Sequence, residues 1–181
     1  MTEAEQGISL TIEPFDPSKH DRTAFSCGVK QVDNFFQKTA NKLSQANNVR
    51  VHVLTNEKAA ILGFYALNSH AVDYTDLPDK FAKTRPAHGS IPAAYISMIA
   101  VPEDYQKNGY GGHLLIDCLA RIEHASHQIG IAVVMLDVLD CGNAALVQRR
   151  KKLYEGYGFQ ALPSNSLRMF LPAESISQLL A

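Results

Sequence analysis

Apolar and polar positions follow two rhythms along the chain. Leu10 and Ile12 alternate with polar neighbours, a period of two that predicts a short first strand. Val29, Val32, Phe36 and Leu43 fall on one helical face, with Phe35 widening it and Ser26 placed to cap the helix N-terminus. Val49, Val51 and Val53 then alternate with Arg50, His52 and Leu54. A turn at Asn56-Glu57-Lys58 leads into Ile61-Leu62-Gly63-Phe64-Tyr65-Ala66-Leu67, so these two runs predict an antiparallel hairpin. From Ser69 to Pro92 the periodicity is weak and proline, glycine and charge are frequent, which predicts a variable insert with a short helix near residues 77–83.

Ala93 to Val101 is an apolar, β-rich run that enters a glycine-rich turn. His113-Leu114-Leu115-Ile116-Asp117-Cys118-Leu119-Ala120 then opens an amphipathic helix extending to about residue 128. The unbroken run Ile131-Ala132-Val133-Val134-Met135-Leu136 suits a strand covered on both faces. A helix over residues 143–157, a strand over 167–170 and a terminal helix over 175–180 complete the order β-α-β-β-β-α-β-α-β. No repeat or linker interrupts it, and one α/β domain over residues 1–181 is expected.

Composition narrows the setting. Of 181 residues, 46% are hydrophobic and 19% charged, a globular balance. No apolar run approaches the roughly 20 residues that span a bilayer, and the acidic, polar Met1-Thr2-Glu3-Ala4-Glu5-Gln6 is no secretory signal, so a cytoplasmic protein away from the membrane is expected. Cys27, Cys118 and Cys141 have neither metal-ligand spacing nor a disulfide framework, and the seven histidines form no zinc signature; no metal is expected. The formal net charge of −1 gives no global attraction for nucleic acid. Basic residues do gather locally, at Arg149-Arg150-Lys151-Lys152 and at Lys80, Lys83, Arg85 and His88, either as solvated faces or as phosphate contacts.

The chemistry-bearing segment is Gln106-Lys107-Asn108-Gly109-Tyr110-Gly111-Gly112, followed by His113. A strand, a small-residue loop and a helix start together make an anion site, because glycines let the backbone approach and unpaired N–H groups point at phosphates. The same residues are also compatible with a loop that merely turns the chain. The spacing is neither a dinucleotide fingerprint nor a nucleotide-triphosphate loop. It resembles the pyrophosphate loop of the GNAT family of acetyl-coenzyme A-dependent N-acetyltransferases.

A second segment, Leu153-Tyr154-Glu155-Gly156-Tyr157-Gly158-Phe159, resembles the late pattern of that family, in which a helix ends at Gly-Phe. The resemblance implies a mixed α/β GNAT fold whose parallel fourth and fifth strands splay apart. It implies acetyl-coenzyme A as cosubstrate, held by Gln106, Lys107, Asn108, Gly109, Tyr110, Gly111, Gly112 and His113, with backbone groups of Ile99, Ala100 and Val101 polarising the thioester. Tyr154 is implied as the general acid that protonates the leaving thiolate, with Tyr157 in reserve. Asn143 is the candidate for a coenzyme-binding asparagine, although it lies eleven residues before Tyr154 where many relatives have seven. That difference is about 6 Å of helix.

Phe25-Ser26-Cys27-Gly28 with Val32-Asp33-Asn34-Phe35-Phe36, and Gly63-Phe64-Tyr65-Ala66-Leu67, are similar to segments of the GNAT toxins of toxin–antitoxin pairs. This implies acetylation of the α-amine of an aminoacyl-tRNA and a ribbon-helix-helix antitoxin as partner, with homodimerisation left open. The alternatives are an ordinary GNAT acting on a small amine, a protein N-terminus or a lysine, and a non-catalytic coenzyme A sensor. Met98 stands where the toxins often carry arginine, and no carboxylate presents itself as the base.

Overall fold

The computed structural model describes residues 9–181. The strands are β1 (Thr11–Pro14), β2 (Arg50–Thr55), β3 (Ile61–Asp73), β4 (Ser90–Ala100), β5 (Val133–Asp137), β6 (Gln160–Leu162) and β7 (Asn165–Pro172). They form one seven-stranded mixed sheet in the order β1-β2-β3-β4-β5-β7-β6. The helices are α1 (Lys30–Asn34), α2 (Ala40–Gln45), α3 (Tyr110–Ser126), α4 (Ala144–Gly156) and α5 (Ile176–Leu180). No described helix is long and apolar enough to cross a membrane. The chain divides into two compact units, residues up to Ala66 with Met98–Leu115, and Leu67–Ser97 with Ile116–Ala181.

The first unit is built on aromatic packing. Phe36 and Phe64 are fully buried and stack with centroids 4.2 Å apart, and Phe25 meets both rings edge-on at 4.8 and 5.3 Å. Each such pair adds about 0.5–1.5 kcal/mol beyond its buried area. Between α1 and α2 the helix widens into a π turn over Phe35–Thr39, closed by the Ala40 N–H on the Phe35 carbonyl. The extra residue rotates all later positions by about 100°. Ala40, four residues after Phe36, stays on the buried side, while the expected core residue Leu43 is only half-buried.

The helix start also differs from expectation. Gly28 adopts φ +88°, which turns the chain, and the helix begins at Lys30 with extended Val29 before it. Ser26 is not the cap; its carbonyl accepts the Glu103 N–H at 2.9 Å. The Asp33 carboxylate instead takes the Cys27 N–H at 2.8 Å.

The β2–β3 hairpin forms as expected, with Asn56 Oδ1 accepting the N–H groups of Lys58 and Ala60 in its turn. β3 runs further than its pattern suggested, so Ser69–Asp73 is strand rather than insert. The irregular segment shrinks to residues 74–89, where two 3₁₀ turns, Tyr74–Asp76 and Asp79–Phe81, replace the expected short helix. Leu77 anchors that segment in the core of the second unit with Val72, Ile91, Val133, Met135 and Phe170.

In the second unit β4 and β5 are parallel, in register from Ala93↔Val133 to Ile96↔Leu136. β5 pairs antiparallel with β7, from Val133↔Pro172 to Asp137↔Arg168. β5 starts two residues later than the apolar run and gains Asp137 at its end. The single late strand expected over 167–170 is the centre of a longer β6–β7 hairpin.

Gly63 shows how tightly the first unit is built. A β-carbon there would lie 2.6 Å from Leu114 Cδ1 and 3.0 Å from the Ala100 carbonyl oxygen. Gly63→Ala should cost about 1–3 kcal/mol through overpacking, read as a lowered denaturation midpoint with an unchanged m-value.

Candidate active site

The glycine-rich loop lies in the first unit, between the end of β4 at Ile99 and Ala100 and the start of α3 at Tyr110. Val101 and Pro102 lead into a 3₁₀ turn over Glu103–Tyr105. Gln106 fastens the loop from inside: its side-chain amide donates to the Val101 carbonyl at 2.9 Å and to the Cys27 carbonyl at 3.1 Å. Asn108 donates to the carbonyls of Tyr105 and Gln106 at 3.0 and 3.3 Å. Lys107 and Gly109 adopt positive φ, 66° and 80°.

The loop carries a row of N–H donors without acceptors. Gly112 and His113 donate to the Gly109 carbonyl at 3.1 and 3.3 Å. The N–H groups of Lys107, Asn108, Gly109, Tyr110 and Gly111 have no backbone acceptor among the described residues. Five unmet donors at the start of a 17-residue helix suit a diphosphate. Nothing stands within 4 Å of a β-carbon built at Gly109 or Gly111, so the cradle is open on that side.

The loop is braced from an unexpected quarter. The Phe25–Gly28 segment supplies two of its anchors, through the Ser26 and Cys27 carbonyls. The Cys27 thiol is a packing group, which burial pushes up to about 12.

Tyr154 lies in the second unit, on α4, and is only 8% exposed. Its position is set by how the helix ends. Gly158, at φ +92°, donates to the Glu155 carbonyl at 2.9 Å, and Phe159 donates to the Tyr154 carbonyl at 3.1 Å. These two bonds make a Schellman motif, with the expected apolar contact between the Phe159 and Tyr154 rings at 6.0 Å. The Gly-Phe signature is thus the device that seats the tyrosine. Its hydroxyl has no hydrogen-bond partner among the described residues, although a buried phenol normally finds one. Burial pushes its pKa up to about 12, with Arg150 opposing in part, so the phenol stays protonated at neutral pH.

Asn143 caps α4, its Oδ1 accepting the N–H groups of Ala145 and Leu146 at 3.1 and 3.2 Å. Tyr157 is half-buried at the helix end. The basic run divides. Arg150 turns back to the Leu139 carbonyl at 2.9 Å and holds the Cys141 thiol below its usual range, while Arg149 and Lys152 stay exposed. In the other basic group, Lys80 pairs with Glu174 at 3.2 Å and Arg85 lies over the Tyr74 ring at 4.4 Å.

The structure adds a cluster that pattern reading missed. At the end of β5, Asp137 accepts two hydrogen bonds from Arg168, at 2.8 and 3.0 Å, and one from the Tyr95 hydroxyl at 2.6 Å. Arg168 first, and Tyr95 after it, hold the Asp137 carboxyl below its ordinary 3.8, and burial with the Asp137 bond raises Tyr95 to about 12. The signal available in sequence was a carboxylate closing an apolar parallel strand, the end at which ligands of such sheets bind.

The loop, the seated tyrosine and the mixed sheet define an acyltransferase of the GNAT class. The chain belongs to the acetyltransferase (GNAT) family, whose profile matches residues 24–159. It is 60% identical over 170 residues to "Probable toxin TacT" of Sinorhizobium fredii, covering 93% of this chain and 94% of that protein. It is 28% identical over 151 residues to "tRNA-acetylating toxin" of Mycobacterium tuberculosis, covering 83% and 85%. Among solved structures it matches AtaT complexed with acetyl-methionyl-tRNAfMet, at TM-score 0.82 and 22% identity over 96% of this chain and 100% of that one, a likeness of fold.

Two substitutions separate the charge of the cradle from its shape. Gly111→Glu adds a carboxylate without positive-φ strain, and Gly109→Ala adds strain of about 1 kcal/mol without charge. Calorimetry with acetyl-coenzyme A should show binding lost by tenfold or more for Gly111→Glu and weakened only slightly for Gly109→Ala, by about 1.4 kcal/mol per decade.

Proposed function

We propose that the chain transfers acetyl from acetyl-coenzyme A to the α-amine of an aminoacyl-tRNA and blocks its use in translation, acting as a cytoplasmic toxin. The unpartnered Tyr154 hydroxyl is the observation that carries the chemistry. The choice of acceptor is supported by the 60% identity, over nearly the full chain, to a probable toxin, and by the tRNA-acetylating relative. Residues 1–181 work in this reading as one acetyltransferase domain.

Acetyl-coenzyme A supplies the activated acyl group. The donors of Lys107–Gly111 take its diphosphate, with Gln106 and Asn108 holding the loop in shape and Gly112 and His113 continuing it into α3. Backbone groups of Ile99, Ala100 and Val101 polarise the thioester carbonyl. The amine forms its bond to the carbonyl carbon and releases a proton to water. As the carbon–sulfur bond breaks, the Tyr154 hydroxyl gives its proton to the thiolate and recovers one from solvent. An aminoacyl ester has an unusually acidic ammonium, so the transfer does without a dedicated strong base.

Asn143 serves the cofactor indirectly here, by fixing the start of α4. Its own side-chain oxygen is already shared between two N–H groups. An antitoxin of the ribbon-helix-helix type is the partner in this reading. A tyrosine-to-phenylalanine mutant of the toxin AtaT has been solved bound to the C-terminus of the antitoxin AtaR and acetyl-coenzyme A.

Tyr154→Phe should fold as well as wild type, within about 0.5 kcal/mol, and bind acetyl-coenzyme A unchanged, while turnover drops about 100-fold or more. Induction in bacteria, with charged tRNA isolated and its aminoacyl groups analysed, tests the acceptor. Wild type should acetylate them and stop growth, and Tyr154→Phe should do neither. Unmodified tRNA under strong expression of folded wild type would end the toxin reading, and thiol release with a panel of other amines would then separate an ordinary acetyltransferase from a sensor.

A further inference from the structure

We infer that Asp137 is the acceptor-binding residue of this transfer: its carboxylate receives the amine of the aminoacyl group, with Tyr95 and Arg168 fixing its plane. The inference rests on the reading just given and adds a residue that no motif contains.

Position is the first argument. The β4–β5 ladder ends at Ile96↔Leu136, and Asp137 is the next residue of β5. Alternation along the strand puts it on the face of Val133 and Met135, and Tyr95 and Arg168 reach it across that face from the strands on either side. The carboxylate therefore sits at the carboxyl end of a parallel pair, at the first position past its last rung, where ligands enter such sheets.

Exposure is the second. β5 is a central strand, and Val133 to Leu136 are buried throughout, yet the Asp137 and Arg168 side chains remain 35% and 38% exposed. A charged cluster beside such a strand thus stays accessible from solvent. The exposed His70 ring stands 5.3 Å from the Tyr95 ring, tilted by 35°, giving the cluster an aromatic flank of the kind that receives a nucleobase.

Valence is the third. A carboxylate offers about four lone-pair directions. Arg168 takes two and Tyr95 one, so one remains for an incoming N–H. The same arrangement limits how firmly the amine is held. A bare carboxylate would stabilise the ammonium and keep it from becoming a nucleophile. The Arg168 charge offsets this, so the amine is oriented without being locked in its protonated form. Arg168 also keeps Asp137 a poor base, which leaves proton removal to water. Once acetylated, the nitrogen can no longer take up a proton, so the charged form that the carboxylate holds best is lost, which favours release of product.

Binding of bulk charged tRNA is compared with binding of the same tRNA chemically N-acetylated, for wild type, Asp137→Asn and Tyr95→Phe. Wild type should prefer the free-amine form by about tenfold. Asp137→Asn should abolish that preference and raise the KM for charged tRNA about as much, with acetyl-coenzyme A affinity within about twofold of wild type. Tyr95→Phe should give a smaller loss of the same kind. A preference retained in Asp137→Asn, or absent in wild type, overturns the inference, and the cluster is then only a tie between strands. Should Asp137→Asn fail to fold, Asp137→Glu gives the same readout with the charge retained but displaced. Wild type that leaves charged tRNA unmodified refutes the proposed function and this inference with it. Active wild type with an unaltered Asp137→Asn refutes this inference alone.

Discussion

The parallel ladder between β4 and β5 stops after Ile96↔Leu136, although β4 continues for four more residues. Strand backbone that leaves its neighbour carries polar groups that must find other partners. In an ordinary sheet this would be a defect. In the proposed transfer it is the place at which the acceptor is met. Asp137 marks the last polar position on one strand, and the Ile99–Val101 segment carries the other toward the glycine-rich loop.

Each unit then solves a local version of the same accounting. In the first, Gln106 and Asn108 satisfy carbonyls so that the N–H groups of Lys107–Gly111 need not. Two positive-φ residues shape the loop that carries these donors, and the Phe25–Gly28 segment holds that geometry through main-chain carbonyls. This explains why a segment remote in sequence belongs to the same pattern as the loop. Its aromatic residue packs on Phe36 and Phe64, and its carbonyls face the loop.

In the second unit the constraint is a helix terminus. The Schellman bonds of Gly158 and Phe159 stop α4 one turn after Tyr154 and press Phe159 against its ring. A tyrosine fixed in this way loses little entropy when it meets a substrate. Burial keeps its proton in place, and no described residue accepts it, as the proposed role of proton donor requires. Arg150 and Asn143 serve the same helix from its other end, where the longer spacing to Tyr154 is taken up as regular helix.

Much of this was legible in the sequence, where local backbone chemistry decides. The strand–loop–helix order around Gln106–Gly112, the start of α4 after Asn143 and its end at Gly158 all follow from glycine, from capping residues and from apolar period. The π turn at Phe35–Thr39 was not legible, because no residue in Phe35–Thr39 carries a local preference that marks it. Nor was the brace from Ser26 and Cys27, which uses carbonyls that every residue possesses. The Tyr95–Asp137–Arg168 cluster joins three strands far apart in the chain, and only sheet register brings them together. Sequence alone determined which segments turn, cap and alternate, since those preferences act within a few residues. The tertiary structure decided which polar groups are left without a partner, because that depends on what every distant segment has already satisfied.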